Sequence, residues 1–121
     1  MQEEKLVERV REDTGPYLAA RWASLGDHLL VGEARIKGLI GALELVRDKT
    51  TKERFPDEGA IGTRCRDLAL ARGLVIRATR DTIIISPPLV ISHEECDLLV
   101  ERVRKSLDDL ADELTREGAL G

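Results

Sequence analysis

Aromatic side chains are nearly absent from this chain of 121 residues: one Trp, one Tyr and one Phe make up 2% of it. Val, Ile, Leu and Ala must therefore build any core. Histidine is as scarce, with only His28 and His93, so few groups are available for acid–base chemistry near neutral pH. The two cysteines, Cys65 and Cys96, are too few and too far apart for a metal-ligand pattern. Each falls in the apolar row of an expected helix and reads as a buried, reduced thiol. No apolar run is long enough to span a bilayer. The opening Met1-Gln2-Glu3-Glu4-Lys5 is too acidic and polar for a signal peptide, so a cytoplasmic location is expected. No basic tract stands clear of acids, and the net charge of -4 with a pI near 5.3 argues against nucleic acid or an anionic membrane as partner. Nucleophile-elbow, P-loop, dinucleotide-binding and metal motifs are all missing.

What is present suits an ordinary globular protein: 42% hydrophobic and 35% charged residues, in a length that predicts one domain over residues 1–121. Leu6, Val7 and Val10, then Leu18 and Trp22, repeat at helical spacing from about Glu3 to Ala23, with Gly15-Pro16 expected to split or kink the helix. Leu29 to Arg35 and Gly38 to Val46 read as strands. A charged connector, Asp48 to Gly59, leads to a helix over Ala60 to Ala71 with Ile61, Cys65, Leu68 and Ala69 inward and Gly73 as its C-terminal glycine. Leu74 to Arg77 and Thr82 to Ile85 read as a hairpin across Ala78 to Asp81. Ser92 with Glu95 three residues on forms a capping box. It opens a last helix whose apolar face runs from Cys96 through Val100, Val103 and Leu107 to Leu114. Paired strands between helices predict an α+β, two-layer fold with a small antiparallel or mixed sheet and helices on one face.

Few residues invite a chemical role. His28 and His93 read as surface residues with no nucleophile or ligand beside them in sequence. "GEARIKGLIG" (32–41) lacks phosphate-binding spacing and reads as strand-turn-strand. Lys37 would need a desolvated pocket to form a Schiff base, and a lysine at a turn is usually solvated. Arg77 stands at the seam between two strand-like runs. There a planar guanidinium is either an anion-binding fork on a rigid element or a solvated or salt-bridged strand end.

Three blocks in order narrow the choice: "HLLVGEARIKGLIGALELVRDKTTKERFP" (28–56), "GTRCRDLALARGL" (62–74) and "GLVIRATRDTIIISPPLVIS" (73–92). Together they closely resemble the C-terminal part of class III pyridoxal-phosphate (PLP) aminotransferases. The nearest likeness is to the ω-transaminases that pass an amino group from an amine or ω-amino acid to pyruvate. The resemblance runs from about Leu6 to Leu114. It implies the small C-terminal domain of a fold-type I enzyme, in agreement with the α+β order above. The family's pattern of Arg, two residues, Gly-Asp falls on Arg77, which members use to pair with the substrate carboxylate and can swing aside for an uncharged side chain. Two positions depart from the pattern: Arg80 stands before Asp-Thr-Ile where Gly is usual, and Ile36 replaces a Gly of "V-R-G-x-G-L". Arg80 takes a turn position that often needs a positive φ and adds a second guanidinium near Arg77.

The resemblance also implies what lies elsewhere. In the family, the Schiff-base lysine, the acid at the pyridine nitrogen, the stacking aromatic and the phosphate donors belong to the large domain, which would precede residue 1. Lys5, Lys37, Lys49, Lys52 and Lys105 match none of these positions. PLP is therefore expected in the complete enzyme and not tightly bound to this chain, which should not catalyse alone. The implied partners are the large PLP-binding domain, a second copy in a homodimeric complete enzyme, and an amino-acid or oxo-acid substrate. The alternative is a free-standing interaction or ligand-binding module descended from such a domain, suggested by Met1 and the self-capped last helix.

Overall fold

Alternation along two short segments puts Leu43 and Leu45, and Ile83 and Ile85, on one side of a sheet. The computed structural model, which describes residues 2–57 and 59–120, buries all four to 2% exposure or less. The chain runs α1 (Gln2–Arg9), a π-helical turn (Val10–Thr14), α2 (Gly15–Ala23), a 3-10 turn (Ser24–Asp27), β1 (Val31–Lys37), β2 (Ile40–Leu45), α3 (Ala60–Ala71), β3 (Arg77–Thr79), β4 (Thr82–Ile85) and α4 (His93–Arg116). The four strands form one sheet in the order β1-β2-β4-β3, antiparallel throughout, which decides between the antiparallel and mixed alternatives. Leu18 and Trp22 of α2 and Leu107, Leu110 and Leu114 of α4 close the core with those strand residues, giving two layers. No helix among the described residues is long and apolar enough to cross a membrane.

The interruption at Gly15-Pro16 takes the form of a wide turn and not a break. Pro16 has no N–H, and its ring would strike the carbonyl four residues back in an α-helical ladder. The π-helical turn before it absorbs that conflict, with the Gly15 N–H donating to the Val10 carbonyl five residues earlier. Gly15 is required there, because a Cβ would lie 2.1 Å from the Val10 carbonyl oxygen.

Strand boundaries shift for local reasons. Leu29 and Leu30 are held in a turn, since the Val31 N–H donates to the His28 carbonyl, and β1 starts two residues later than expected. Gly38 and Leu39 form the tip of the first hairpin, so β2 starts at Ile40. At the end of α3, Gly73 (φ 77°) donates to Leu70 and Leu74 to the Ala69 carbonyl. This Schellman arrangement uses the backbone donor of Leu74, and β3 begins only at Arg77. The Ser92–Glu95 capping box is present as expected.

Candidate functional site

Arg77 sits on the second hairpin. Arg77 pairs with Ile84, Ala78 with Ile83 and Thr79 with Thr82, leaving Arg80-Asp81 as a two-residue turn. The first hairpin is built alike, with Lys37 opposite Ile40 and Gly38-Leu39 between them. Gly38 has φ 60° and Arg80 φ 56°, so the same left-handed step is taken once by glycine and once by arginine. For an L side chain that step costs about 1 kcal/mol, and surrounding structure has to hold it.

Because Ile83 is buried against the helices, the alternation of the pleat turns Ile84, and with it Arg77, to the opposite, open face. Registers across the sheet align Arg35, Ala42, Ile84 and Arg77 in one row on that face. Arg35 is neutralised by Glu33 at 2.8 Å and Glu44 at 3.1 Å, and Arg54 binds Glu44 at 2.9 Å. Arg77 is exposed and forms no ion pair or side-chain hydrogen bond among the described residues. Of the sequence alternatives, the salt-bridged strand end is thereby removed. Among the described residues no carboxylate pairs with the Arg77 guanidinium, which stands on the second hairpin.

The hairpin is fixed from behind by Asp81, which is 2% exposed. Its Oδ1 accepts hydrogen bonds from the backbone N–H of Gly62 at 2.8 Å and of Gly59 at 3.2 Å. Gly59 and Gly62 are the N-cap and third residues of α3, so Asp81 does from another segment what an N-cap side chain usually does. A carboxylate at this helix end is also favoured by the helix dipole. The Asp81 carbonyl accepts from the Leu45 N–H at 2.9 Å, tying the turn to the end of β2. Helix and turn touch backbone to backbone: a Cβ on Gly62 would lie 2.2 Å from the Arg80 carbonyl oxygen. Nothing in the sequence around Asp81 marks this role, because an aspartate in a turn ordinarily bonds its own neighbours in solvent.

The other candidates are separate from this hairpin. His28 is buried, not on the surface. Its Nδ1 accepts from the Leu30 N–H at 3.2 Å, which puts the ring proton on Nε2, 2.8 Å from Asp108 Oδ1 on α4. His93 stacks on Tyr17 with centroids 4.0 Å apart and lies 2.7 Å from Asp13. The Tyr17 hydroxyl donates to Asp97, which Arg21 also binds at 2.9 Å. The Tyr17 hydroxyl first, and Arg21 second, hold the Asp97 carboxyl below its usual range. Cys65 and Cys96 are buried and free, and burial pushes the Cys65 thiol up to about 12. Ile36 and Lys37 border an apolar cavity of about 840 Å³ together with Val10, Pro16 and Leu89.

These residues do not fit PLP. All five lysines are exposed. Lys49 is turned onto the Gly26 and His28 carbonyls, and Lys105 is paired with Glu101. Among the described residues, no carboxylate and no aromatic ring lines the cavity beside Lys37. Among the described residues there is likewise no metal-binding cluster of His, Cys, Asp or Glu.

Comparison with known proteins identifies the family to which the chain belongs. The chain is part of the class III aminotransferase family, the family that its three sequence blocks resemble. It is 51% identical over 111 residues to a putrescine–pyruvate aminotransferase of Pseudomonas aeruginosa, an alignment covering 92% of this chain and 24% of the relative. A diaminobutyrate–2-oxoglutarate transaminase of Halomonas elongata is 36% identical over 111 residues, covering 89% of this chain and 24% of that protein. Among solved structures, the ω-transaminase of Pseudomonas jessenii in complex with PMP superposes with a TM-score of 0.86 at 35% identity, over 94% of this chain and 25% of the other. The chain thus spans about a quarter of the length of the curated relatives it matches. No family model matches it.

Proposed function

We propose that the chain is the C-terminal small domain, over residues 1–121, of a PLP-dependent aminotransferase that passes an amino group from an amine or ω-amino acid to pyruvate or a similar 2-oxo acid. Its contribution is recognition of the substrate carboxylate by Arg77. The observation that carries this reading is the exposed Arg77 guanidinium, without a counter-ion among the described residues, on the open face of the sheet. A planar fork of N–H donors matches a carboxylate in two parallel charge-assisted hydrogen bonds. The long, unanchored side chain can also turn away when an uncharged amine substituent takes the same space.

PLP and the groups that hold it belong to the complete enzyme, which is a homodimer in this reading and resides in the cytoplasm. The large domain of that enzyme is the partner of this one. Apolar side chains left exposed here, Val75 at 80%, Ile40 at 60% and Val90 at 60%, support such a covering partner.

The test is Arg77→Ala in the complete enzyme. Loss of a charge-assisted pair of roughly 1.5–3 kcal/mol raises the KM for pyruvate about ten- to a hundredfold while leaving that for an amine without a carboxylate nearly unchanged. Equal effects on both substrates would remove Arg77 from the role. The isolated chain supplied with PLP and an amine–pyruvate pair should show no turnover.

A further inference from the structure

Resting on that reading of Arg77, we propose that Asp81 is a positioning residue for it. In this proposal, the buried carboxylate that caps α3 from across the turn sets where the Arg77 guanidinium stands. β3 is an edge strand of three residues whose ladder is with β4 alone. A ladder so short holds its strand weakly, and the turn is the second point at which the hairpin is fixed. At that turn Asp81 joins three elements: its Oδ1 to Gly59 and Gly62 of α3, its carbonyl to Leu45 of β2, and its own chain to β4. Gly62 lets the helix meet the Arg80 carbonyl without an intervening side chain, so the left-handed Arg80 is packed directly against the start of α3.

Arg77 lies four residues before this anchor and has no side-chain partner of its own among the described residues, so its placement is that of the hairpin backbone. A misplacement of about 1 Å at a substrate-orienting group can cost up to roughly a hundredfold in rate. Both hydrogen bonds to α3 end on the same oxygen, Oδ1. An asparagine amide oxygen can accept both, whereas alanine accepts neither, and this separates anchoring from charge.

The experiment is steady-state kinetics of the complete enzyme carrying D81A, D81N, G62A or R77A, with pyruvate and a primary amine that carries no carboxylate as the two substrates. D81A should raise the pyruvate KM about tenfold with the amine KM held within about twofold, and D81N should keep the ratio of the two within about twofold of wild type. A D81A effect that is absent or equal on both substrates, or a D81N effect as large as that of D81A, overturns the proposal. If D81A is not obtained folded, G62A decides: its methyl group pushes the same turn off the helix with the carboxylate intact, so the same selective rise supports the proposal and an unchanged ratio overturns it. R77A without a selective effect defeats the reading of Arg77 itself, and the proposal with it. A selective R77A beside a non-selective D81A defeats the proposal alone.

Discussion

Replacing Gly62 by alanine tests the seam on which the candidate site depends, in this chain and without cofactor or substrate. The added methyl carbon would lie 2.2 Å from the Arg80 carbonyl oxygen, 3.1 Å from Asp81 Cα and 3.2 Å from the Arg80 carbonyl carbon. All three are backbone atoms of a turn already held by hydrogen bonds, so no side chain can swing aside. The helix and the turn must separate by about 1 Å to restore ordinary contact, which overstretches the 2.8 Å bond from the Gly62 N–H to Asp81. Overpacking of this kind costs about 1–3 kcal/mol, and a lost hydrogen bond to a charged acceptor about 1.5–3 kcal/mol. Alanine recovers about 1 kcal/mol through its better helix propensity, leaving a net loss of about 1.5–5 kcal/mol. Urea unfolding followed by circular dichroism should show the midpoint falling by about 0.8–2.5 M, given a denaturant slope of about 2 kcal/mol per M for a chain of this size. Gly26→Ala is the control: its Cβ meets nothing closer than Ala34 at 3.9 Å, and the midpoint should move little. A Gly62→Ala protein as stable as wild type would refute the argument for a rigid backbone contact.

Two further outcomes follow from contacts elsewhere. Trp22 is fully buried, and its Nε1 donates to the Arg35 carbonyl at 2.8 Å and the Ala42 carbonyl at 3.3 Å, bridging β1 and β2. Trp22→Phe removes that donor and part of the ring volume, a loss of about 2–3 kcal/mol seen as a melting temperature about 10 °C lower; a drop under about 2 °C would contradict it. Asp97 titrates below its ordinary value when folded, so between that lowered value and the unfolded value near pH 4 the unfolded chain binds more protons. Its contribution is therefore fully present above about pH 4 and lost as pH falls through the folded value. The gap in melting temperature between wild type and Tyr17→Phe should be open at neutral pH and close in acid, and a gap independent of pH would count against the Tyr17–Asp97 bond as its source.

Elements whose signals lie within a few residues of one another were legible in the sequence. Ser92 and Glu95 announced α4, Gly73 ended α3, and the four-residue apolar run at Thr82 gave β4 its observed bounds. Local reading failed where a backbone donor had been claimed elsewhere, as at Leu74, or where a polar side chain found a distant partner. His28 looked like a surface residue because Asp108, which makes its burial tolerable, is 80 positions away. The resemblance singles out Arg77 as an expectation, and Arg80 standing where glycine is common marks the left-handed turn. Asp81 could not be recognised as an anchor, because its donors are 19 and 22 residues upstream and only the packing of α3 on the hairpin brings them near. Composition indicates which side chains must be buried, but not which buried carboxylate will cap which helix.

The wide turn at Val10–Thr14 also changes the phase of the helical rod. By simple counting, Val7 and Leu18 are eleven residues apart, just over three full α turns, and should look the same way. A π-helical turn takes in one extra residue, which retards the second segment by about 100° relative to the first. Val7 accordingly lies 46% exposed at the rim of the apolar cavity while Leu18 is wholly inside the core. One rod thus serves two addresses. Deleting a single residue between Val10 and Thr14 would bring the segments back into phase, so that either Val7 is driven toward the sheet or Leu18 and Trp22 are rotated out of it.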